Sequence, residues 1–467
     1  MNVLRALCAA AMFAATGCQT ARFTASPTQP RGISHSLPVP ASEVVAAPLA
    51  LTAFQEPLPP VMPPGPPPVD VLVENVLSRQ WLAAEIEARH PSLEAMAAAW
   101  RAAMQRYPQQ IALDNPMLMG MIAPESAGSA VTETAYAFQL NQKLPWFGKR
   151  NLRGAAAAAD ADAASQDLAD TRLQVRLAAD LAFFEYFLVE RQSALNLANE
   201  RLMEQFRDTA QGRYQARLAQ QQDVLLADLE LGELQRRRLE ISRMQRVAIA
   251  RINTLLRRWP DAPLPPPPAE LDPPQPPADS ALLWQTALQQ RPDLAALAWR
   301  VQSEEAALAL ARKNYYPDVD LFGRYDTFWQ PASTQGPLRA QIGVGVDLPV
   351  YREKLRAAVC EAQFRLAQRR AEFDARAQEI QYEVISAAEQ VSETQKAIEL
   401  FQRLISTAEL NVATTRANYQ ASRGTFLELS QAQRQFVALR ERQLDAVVTY
   451  HRRLAELDRA IGVADLR

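Results

Sequence analysis

The chain has 467 residues, room for two or three ordinary domains, and its 50 Lys and Arg nearly balance 52 Asp and Glu, for a formal net charge of -2. That balance lacks the basic excess of a nucleic-acid binder. Only 15 glycines, with 33 prolines and abundant Ala, Leu, Gln, Arg and Glu, favour long helices over an α/β enzyme, whose turns need more glycine.

The N-terminal MNVLRALCAAAMFAATGCQT places Arg5 before a short apolar run and small residues. This is the order of a secretory signal, too short for a membrane-spanning helix of about 20 residues. Residues 1–17 are expected to be a lipoprotein-type signal peptide, because Ala15-Thr16-Gly17-Cys18 resembles a bacterial lipobox. Lipidation of Cys18 would tie the chain to outer-membrane lipid, and Gln19 stands where Asp would favour retention at the inner membrane. An ordinary signal cleaved nearby is the alternative, and it also exports the protein. Residues 18–70, which run through EPLPPVMPPGPPPVD, read as a Pro-rich tether.

Residues 71–256 and 281–467 are two matching halves, joined by a Pro-rich linker at 257–280. Leu144-Pro145 corresponds to Leu348-Pro349, Tyr214-Gln-Ala to Tyr419-Gln-Ala, and Leu256 to Ile461. HPSLEAM from His90 echoes RPDLAAL from Arg291, and Tyr107-Pro108 echoes Tyr316-Pro317. Landmarks in one order at a nearly constant shift mark an internal duplication. Each half should run helix, two strands, long helix, helix. The strands alternate: Tyr136, Phe138 and Leu140 against Ala137, Gln139 and Asn141, and Ile342, Val344 and Val346 against Gln341, Gly343 and Gly345. Val319, Leu321 and Tyr325 likewise oppose Asp320, Arg324 and Asp326, whereas Met117 to Ala123 alternates poorly. Strands of roughly ten residues with one apolar face, aromatic ends (Tyr136, Phe328, Trp329) and an export signal point to a lipid-facing barrel. The bland alternative is a water-facing sheet on a soluble core.

From about Lys149 to Tyr214 no proline interrupts a helix that would extend roughly 100 Å. Leu181, Leu188, Leu195 and Leu202 recur every seven residues, as do Val384, Val391, Ile398 and Ile405, and then Val447, Leu454 and Ile461. Such spacing belongs to helices that wrap around one another. No catalytic signature is present: Gly-x-Ser-x-Gly, phosphate-binding glycine loops and His-Glu-x-x-His are all missing. His35, His90 and His451 are far apart, and of Cys8, Cys18 and Cys360 only Cys360 falls in the repeats, which gives little material for a metal centre. Neither an enzymatic activity nor a cofactor is expected.

The duplication, QLNQKLPWFGKRNLR, RPDLAAL, ARKNYYPDVDLFGRY, VGVDLPVYREKLR and the two Tyr-Gln-Ala hairpins together resemble the TolC-like outer-membrane efflux family, its lipid-anchored metal- and drug-efflux branch in particular. The likeness covers roughly residues 75 to 465. It implies a mainly α fold with a membrane β-barrel portion: a homotrimer with four strands per chain in a shared twelve-stranded β-barrel, continued by a periplasmic α-barrel with an equatorial belt near the 257–280 linker. It also implies a passive gated duct in a tripartite efflux or type I secretion system, fed by an inner-membrane pump through a periplasmic adaptor. Family members often have glycine three residues after the hairpin tyrosine, where this chain has Arg217 and Ser422. By this resemblance Arg217, Leu218, Arg423 and Gly424 form the adaptor-docking tips, and Asp223 and Glu428 could face the narrowing lumen. Otherwise these two carboxylates cap the return helices. A lipid-anchored periplasmic coiled-coil adaptor is the competing reading; it leaves the strand pairs and the duplication unexplained.

Overall fold

The computed structural model describes residues 76–122, 136–274, 280–327 and 339–463. The signal, the lipobox with Cys18, the whole tether and the aromatic strand ends Phe328 and Trp329 lie outside the described residues. In chain order the elements are α1 (Arg79–Arg89), α2 (Pro91–Met104), α3 (Arg106–Ile111), β1 (Met117–Ile122), β2 (Tyr136–Leu144), α4 (Lys149–Gln215) and α5 (Gln221–Leu255). A second series follows: α6 (Ser280–Gln290), α7 (Pro292–Lys313), β3 (Asp318–Thr327), β4 (Arg339–Asp347), α8 (Arg352–Gln420) and α9 (Phe426–Ile461).

The corresponding sequence landmarks occupy corresponding structural positions. His90 and Arg291 are N-caps, each followed by a proline in the first turn, where a missing N–H costs nothing. One landmark shifts. Pro116 stands directly before β1 as Pro317 stands before β3, whereas Pro108 lies inside the six-residue α3. A proline cannot continue a helix across the carbonyl four residues back, so α2 ends at Met104 and α3 starts as a separate turn.

Helix α4 has 67 residues and α8 has 69, each about 100 Å long at 1.5 Å per residue. In α8 the seven-residue seam is the buried one: Val384, Val391, Ile398 and Ile405 are at most 5% exposed. In α4 the corresponding leucines are only half-buried, and the core goes instead to Ala179, Phe183, Tyr186, Val189 and Met203. The reason is neighbours: α4 packs against α2, α5, α7 and α9, so no single stripe carries its burial. Helix α9 bridges the two halves, with Val448 and Ala455 in the core around α4 and Tyr450, Leu457 and Ile461 in the core around α8.

The strands form one antiparallel sheet in the order β1-β2-β3-β4. Registers Leu118↔Leu140, Phe138↔Tyr325 and Leu321↔Val344 place these side chains, with Val346, Val319 and Ile342, on one face. That face is apolar and uncovered within the chain: Ile342 is 91% exposed and Leu118 71%. The other face carries Gln139, Asn141, Lys143, Asp320, Arg324, Gln341 and Asp347. At the foot of the sheet Lys149 opens α4 almost fully buried, donating to Asp318 (2.7 Å) and to the Tyr316 carbonyl (2.9 Å), while Trp146 stacks on Tyr316. This polar and aromatic joint fixes the strands onto the long helices.

The Pro-rich segment after α5 lies against the middle of α4. Tyr186 donates to the Pro265 carbonyl (3.2 Å), Arg191 to Pro268 (2.7 Å), and the Leu77 N–H to Pro266 (2.9 Å). Asn253 donates to the carbonyls of Pro260 (3.0 Å) and Ala262 (2.8 Å). Proline has no N–H to satisfy, so a strap of this composition offers acceptors to the helices without burying idle donors. Burial, with the Glu190 charge adding to it, pushes the Tyr186 phenol up to about 12.

Candidate functional site: the hairpin tips

The two long hairpins turn by the same local device. After Ala216 and Ala421 close the helices, Arg217 (φ 60°) and Ser422 (φ 62°) adopt left-handed backbone. The Leu218 N–H then donates to the Arg213 carbonyl and the Arg423 N–H to Asn418, both at 2.8 Å, while Arg217 and Ser422 donate to Tyr214 and Tyr419. These paired bonds satisfy carbonyls that the last turn leaves open. Glycine serves this position best because it has no Cβ to clash, and an L side chain there costs about 1–2 kcal/mol. The glycine expected three residues after each hairpin tyrosine is therefore a requirement of backbone geometry, met here without glycine.

Beyond the turns the tips differ. Thr425 caps α9 in a reciprocal box: its hydroxyl accepts from the Glu428 N–H and the Glu428 carboxylate accepts from the Thr425 N–H, both at 3.3 Å. Glu428 is thus engaged with its own helix in a capping role. Gly424 is tight for the same reason, since an added Cβ would come within 3.1 Å of that carboxylate. The first hairpin starts α5 at Gln220 with no side-chain cap. Arg217, Leu218 and Arg423 are all exposed at the outer end of the turns, with Leu218 at 63%.

Asp223 has a different environment from its counterpart Glu428. It lies with Arg213 and Tyr419, where the two hairpins of one chain meet. Arg213 crosses from the first hairpin to the second, donating to the Gln420 carbonyl (3.0 Å) and the Ser422 hydroxyl (2.9 Å), with its guanidinium 4.7 Å from the Tyr419 ring centre. Tyr419 is buried and meets Phe426 edge-on at 5.8 Å, in a small core with Met203, Phe206, Ala227, Leu231 and Leu429. Its counterpart Tyr214 is 45% exposed. The Tyr419 hydroxyl and the Arg213 Nε are buried with no well-aligned acceptor or donor among the described residues. Burial pushes the Asp223 carboxyl up, and Arg213 and Tyr419 offset only part of that rise. Burial also raises the Tyr419 phenol, with the Asp223 charge adding to it. The cluster lies at an exposed turn, so water can solvate the polar groups that are left without partners when the hairpins separate. Arg213 and Tyr419 are the part of this cluster that local sequence reading leaves out: their partners lie about 200 residues away, and only the duplicated Tyr-Gln-Ala phrase hints at the meeting.

Residues 283–463 match the family described as Outer membrane efflux protein. Several solved structures resemble the chain over most of its length, three of them as follows. A membrane protein from Pseudomonas aeruginosa is 19% identical, with a TM-score of 0.71 over 83% of this chain and 91% of that one. The outer membrane protein VceC from Vibrio cholerae is 18% identical, with a TM-score of 0.70 over 82% and 96%. The MtrE outer membrane channel of Neisseria gonorrhoeae, in its open state, is 18% identical, with a TM-score of 0.66 over 83% and 89%. No curated protein matches the sequence. At such identities the structural likeness is one of fold, and that fold is TolC-like: long helical hairpins continued by a membrane-type sheet.

Proposed function

We propose that this chain, an outer membrane efflux protein by the family match of its second repeat and TolC-like in fold, is the outer-membrane channel of a tripartite efflux or type I secretion system. The sheet carries the reading. One face is apolar and bare, the other polar, and β2 and β4 run straight into α4 and α8, each about 100 Å long. None of the described helices is long and apolar enough to cross a membrane, so a spanning role falls to strands. Four strands cannot close a barrel, and a bare edge in lipid is prohibitive; three copies would give a closed barrel of twelve. The lipid side would then be the face of Leu118, Phe138, Leu140, Ile342 and Val344, with the polar face around a water-filled lumen.

The long hairpins would extend this duct through the periplasm. Arg217, Leu218, Arg423 and Gly424 form the end to which a periplasmic adaptor docks, and an inner-membrane pump supplies the energy. The Arg213–Tyr419–Asp223 cluster holds neighbouring hairpins together at the narrow end and releases as they part, with Asp223 rather than Glu428 as its acidic member. Lipidation of Cys18 adds an anchor in the outer membrane.

The test is the mass and conductance of the mature protein, extracted from outer membranes in mild detergent. A trimer by light scattering that forms discrete channels in planar bilayers supports the reading. A monomer or dimer without conductance refutes it.

A further inference from the structure

Three of the chain's ten methionines fall within five residues, Met117, Met119 and Met121, at every second position of β1. The register gives their direction. Met117, Met119 and Met121 oppose Asn141, Gln139 and Ala137 and share their face, while Leu118 and Ile122 oppose Leu140 and Tyr136 on the apolar face. The poor alternation of this strand thus has a specific cause: its inner face is occupied by thioethers where β2, β3 and β4 place amides and charges. The three are not packing side chains within the chain, being 53%, 40% and 42% exposed. Side chains stand roughly perpendicular to a sheet, so a strand added beside β1 would not cover them.

We infer that Met117, Met119 and Met121 form a binding ladder for a soft, thiophilic monovalent cation such as Cu(I) or Ag(I) on the inner wall of the barrel. The site rests on the proposed duct for its luminal placement. Thioether sulfur is a soft, uncharged ligand that suits such cations and not the hard Mg2+ or Ca2+. Successive members of the ladder are about 6.6–6.8 Å apart along the strand, and the three rotatable bonds of each side chain let neighbouring sulfurs converge on one ion. The surroundings do not oppose a cation. Across from the ladder Gln139 and Asn141 are neutral and hydrogen-bonded to each other at 2.7 Å. The nearest basic groups on this face are compensated: Lys143 is 3.9 Å from Asp347, and Arg324 2.9 Å from Asp326. Exposed thioethers without a competing ammonium or guanidinium bind weakly and release readily, as a conduit wall requires.

The experiment is calorimetric titration of Ag(I) into the purified, detergent-solubilised protein, set against the M117L/M119L/M121L variant, with Zn(II) as the borderline-ion control. Leucine keeps size and apolarity while removing sulfur, so the trimer and its conductance should persist. The expected result is a saturable silver site, one per chain, present in the wild type and weakened at least ten-fold in the variant, with no matching zinc site. Equal silver binding in both proteins, no saturable binding, or zinc binding of the same strength would overturn the inference. If the triple variant does not assemble, Met119→Leu alone, at the centre of the ladder, should still weaken the site. A conducting trimer without the site refutes the ladder and leaves the duct standing. Silver binding by a protein that neither trimerises nor conducts refutes the luminal placement.

Discussion

Removing the Arg213 guanidinium should loosen the end of the helical hairpins without disturbing their trunks. The group makes two charge-assisted hydrogen bonds to the second hairpin, to the Gln420 carbonyl (3.0 Å) and the Ser422 hydroxyl (2.9 Å), and rests on the Tyr419 ring. Bonds of this kind contribute about 1.5–3 kcal/mol each when buried, and a ring contact about 0.5–1. The bonds here lie at an exposed turn, and solvent screening reduces the sum to about 1–2 kcal/mol. Arg213→Met keeps the packing stem and removes the bonds, so local opening of the tip should become about five- to thirty-fold more frequent. Hydrogen exchange reads this directly. The amides of Ser422 and Arg423 should exchange faster by that factor, whereas those around Val391 in the trunk of α8 should not change. Combining Arg213→Met with Ser422→Ala should give less than the summed effects, because the two share a bond. Unchanged exchange at the tip, or a uniform acceleration along α8, would refute the assignment of Arg213 as a clamp between hairpins.

Three further outcomes follow from the geometry. Thr425→Ala removes the cap of α9 and should cost about 1 kcal/mol, read as several-fold faster exchange in its first turn with no change in α5, which has no such cap. Arg257 (φ 56°) and Gly462 (φ 88°) end the return helices in the same left-handed conformation. Arg257→Gly should therefore raise thermal stability by up to about 1 kcal/mol, whereas Gly462→Ala, whose Cβ would come within 2.9 Å of the Arg291 backbone, should lower it by about 2 kcal/mol or more. His451 stacks on Phe184 and faces the Asp272 carbonyl (3.1 Å); burial lowers its imidazole, the Asp272 carbonyl opposes this, and Arg79 adds to the lowering. Protonation thus favours the unfolded chain, so stability should fall as pH drops below about 6.5 and level off below the depressed folded value. A melting profile of His451→Gln should be flatter across that acid range.

Much of the architecture was legible in the sequence because it is periodic. The alternation in β2, β3 and β4 and the seven-residue repeat of α8 each record one face against one neighbour, and the duplicated phrases give the order. Legibility failed where a segment answers to more than one partner. The leucine seam of α4 is displaced because several helices compete for that helix. Strand β1 resisted a period-two reading because its inner face is thioether rather than polar. The Tyr-Pro phrase pairs Pro108 with Pro317, but Pro108 lies inside α3 and Pro116 holds the place before a strand, a difference that only backbone conformation reveals. At the tips, Arg217, Leu218, Arg423 and Gly424 could be located from the turns, but the crossing of Arg213 onto Tyr419 joins residues far apart in the chain. Local pattern records a residue's own turn and face, and says nothing of which distant turn it meets.

The unequal caps of the two return helices have a consequence for symmetry. A trimer of a duplicated chain presents six hairpin ends, which by backbone alone would be nearly alike. Thr425 and Glu428 lock three of them, while the three that begin at Gln220 lack that lock. In the proposed trimer, stiff and compliant ends would then alternate around the mouth, and dilation carried by every second hairpin would widen the aperture as a triangle with three fixed posts rather than as a uniformly expanding circle.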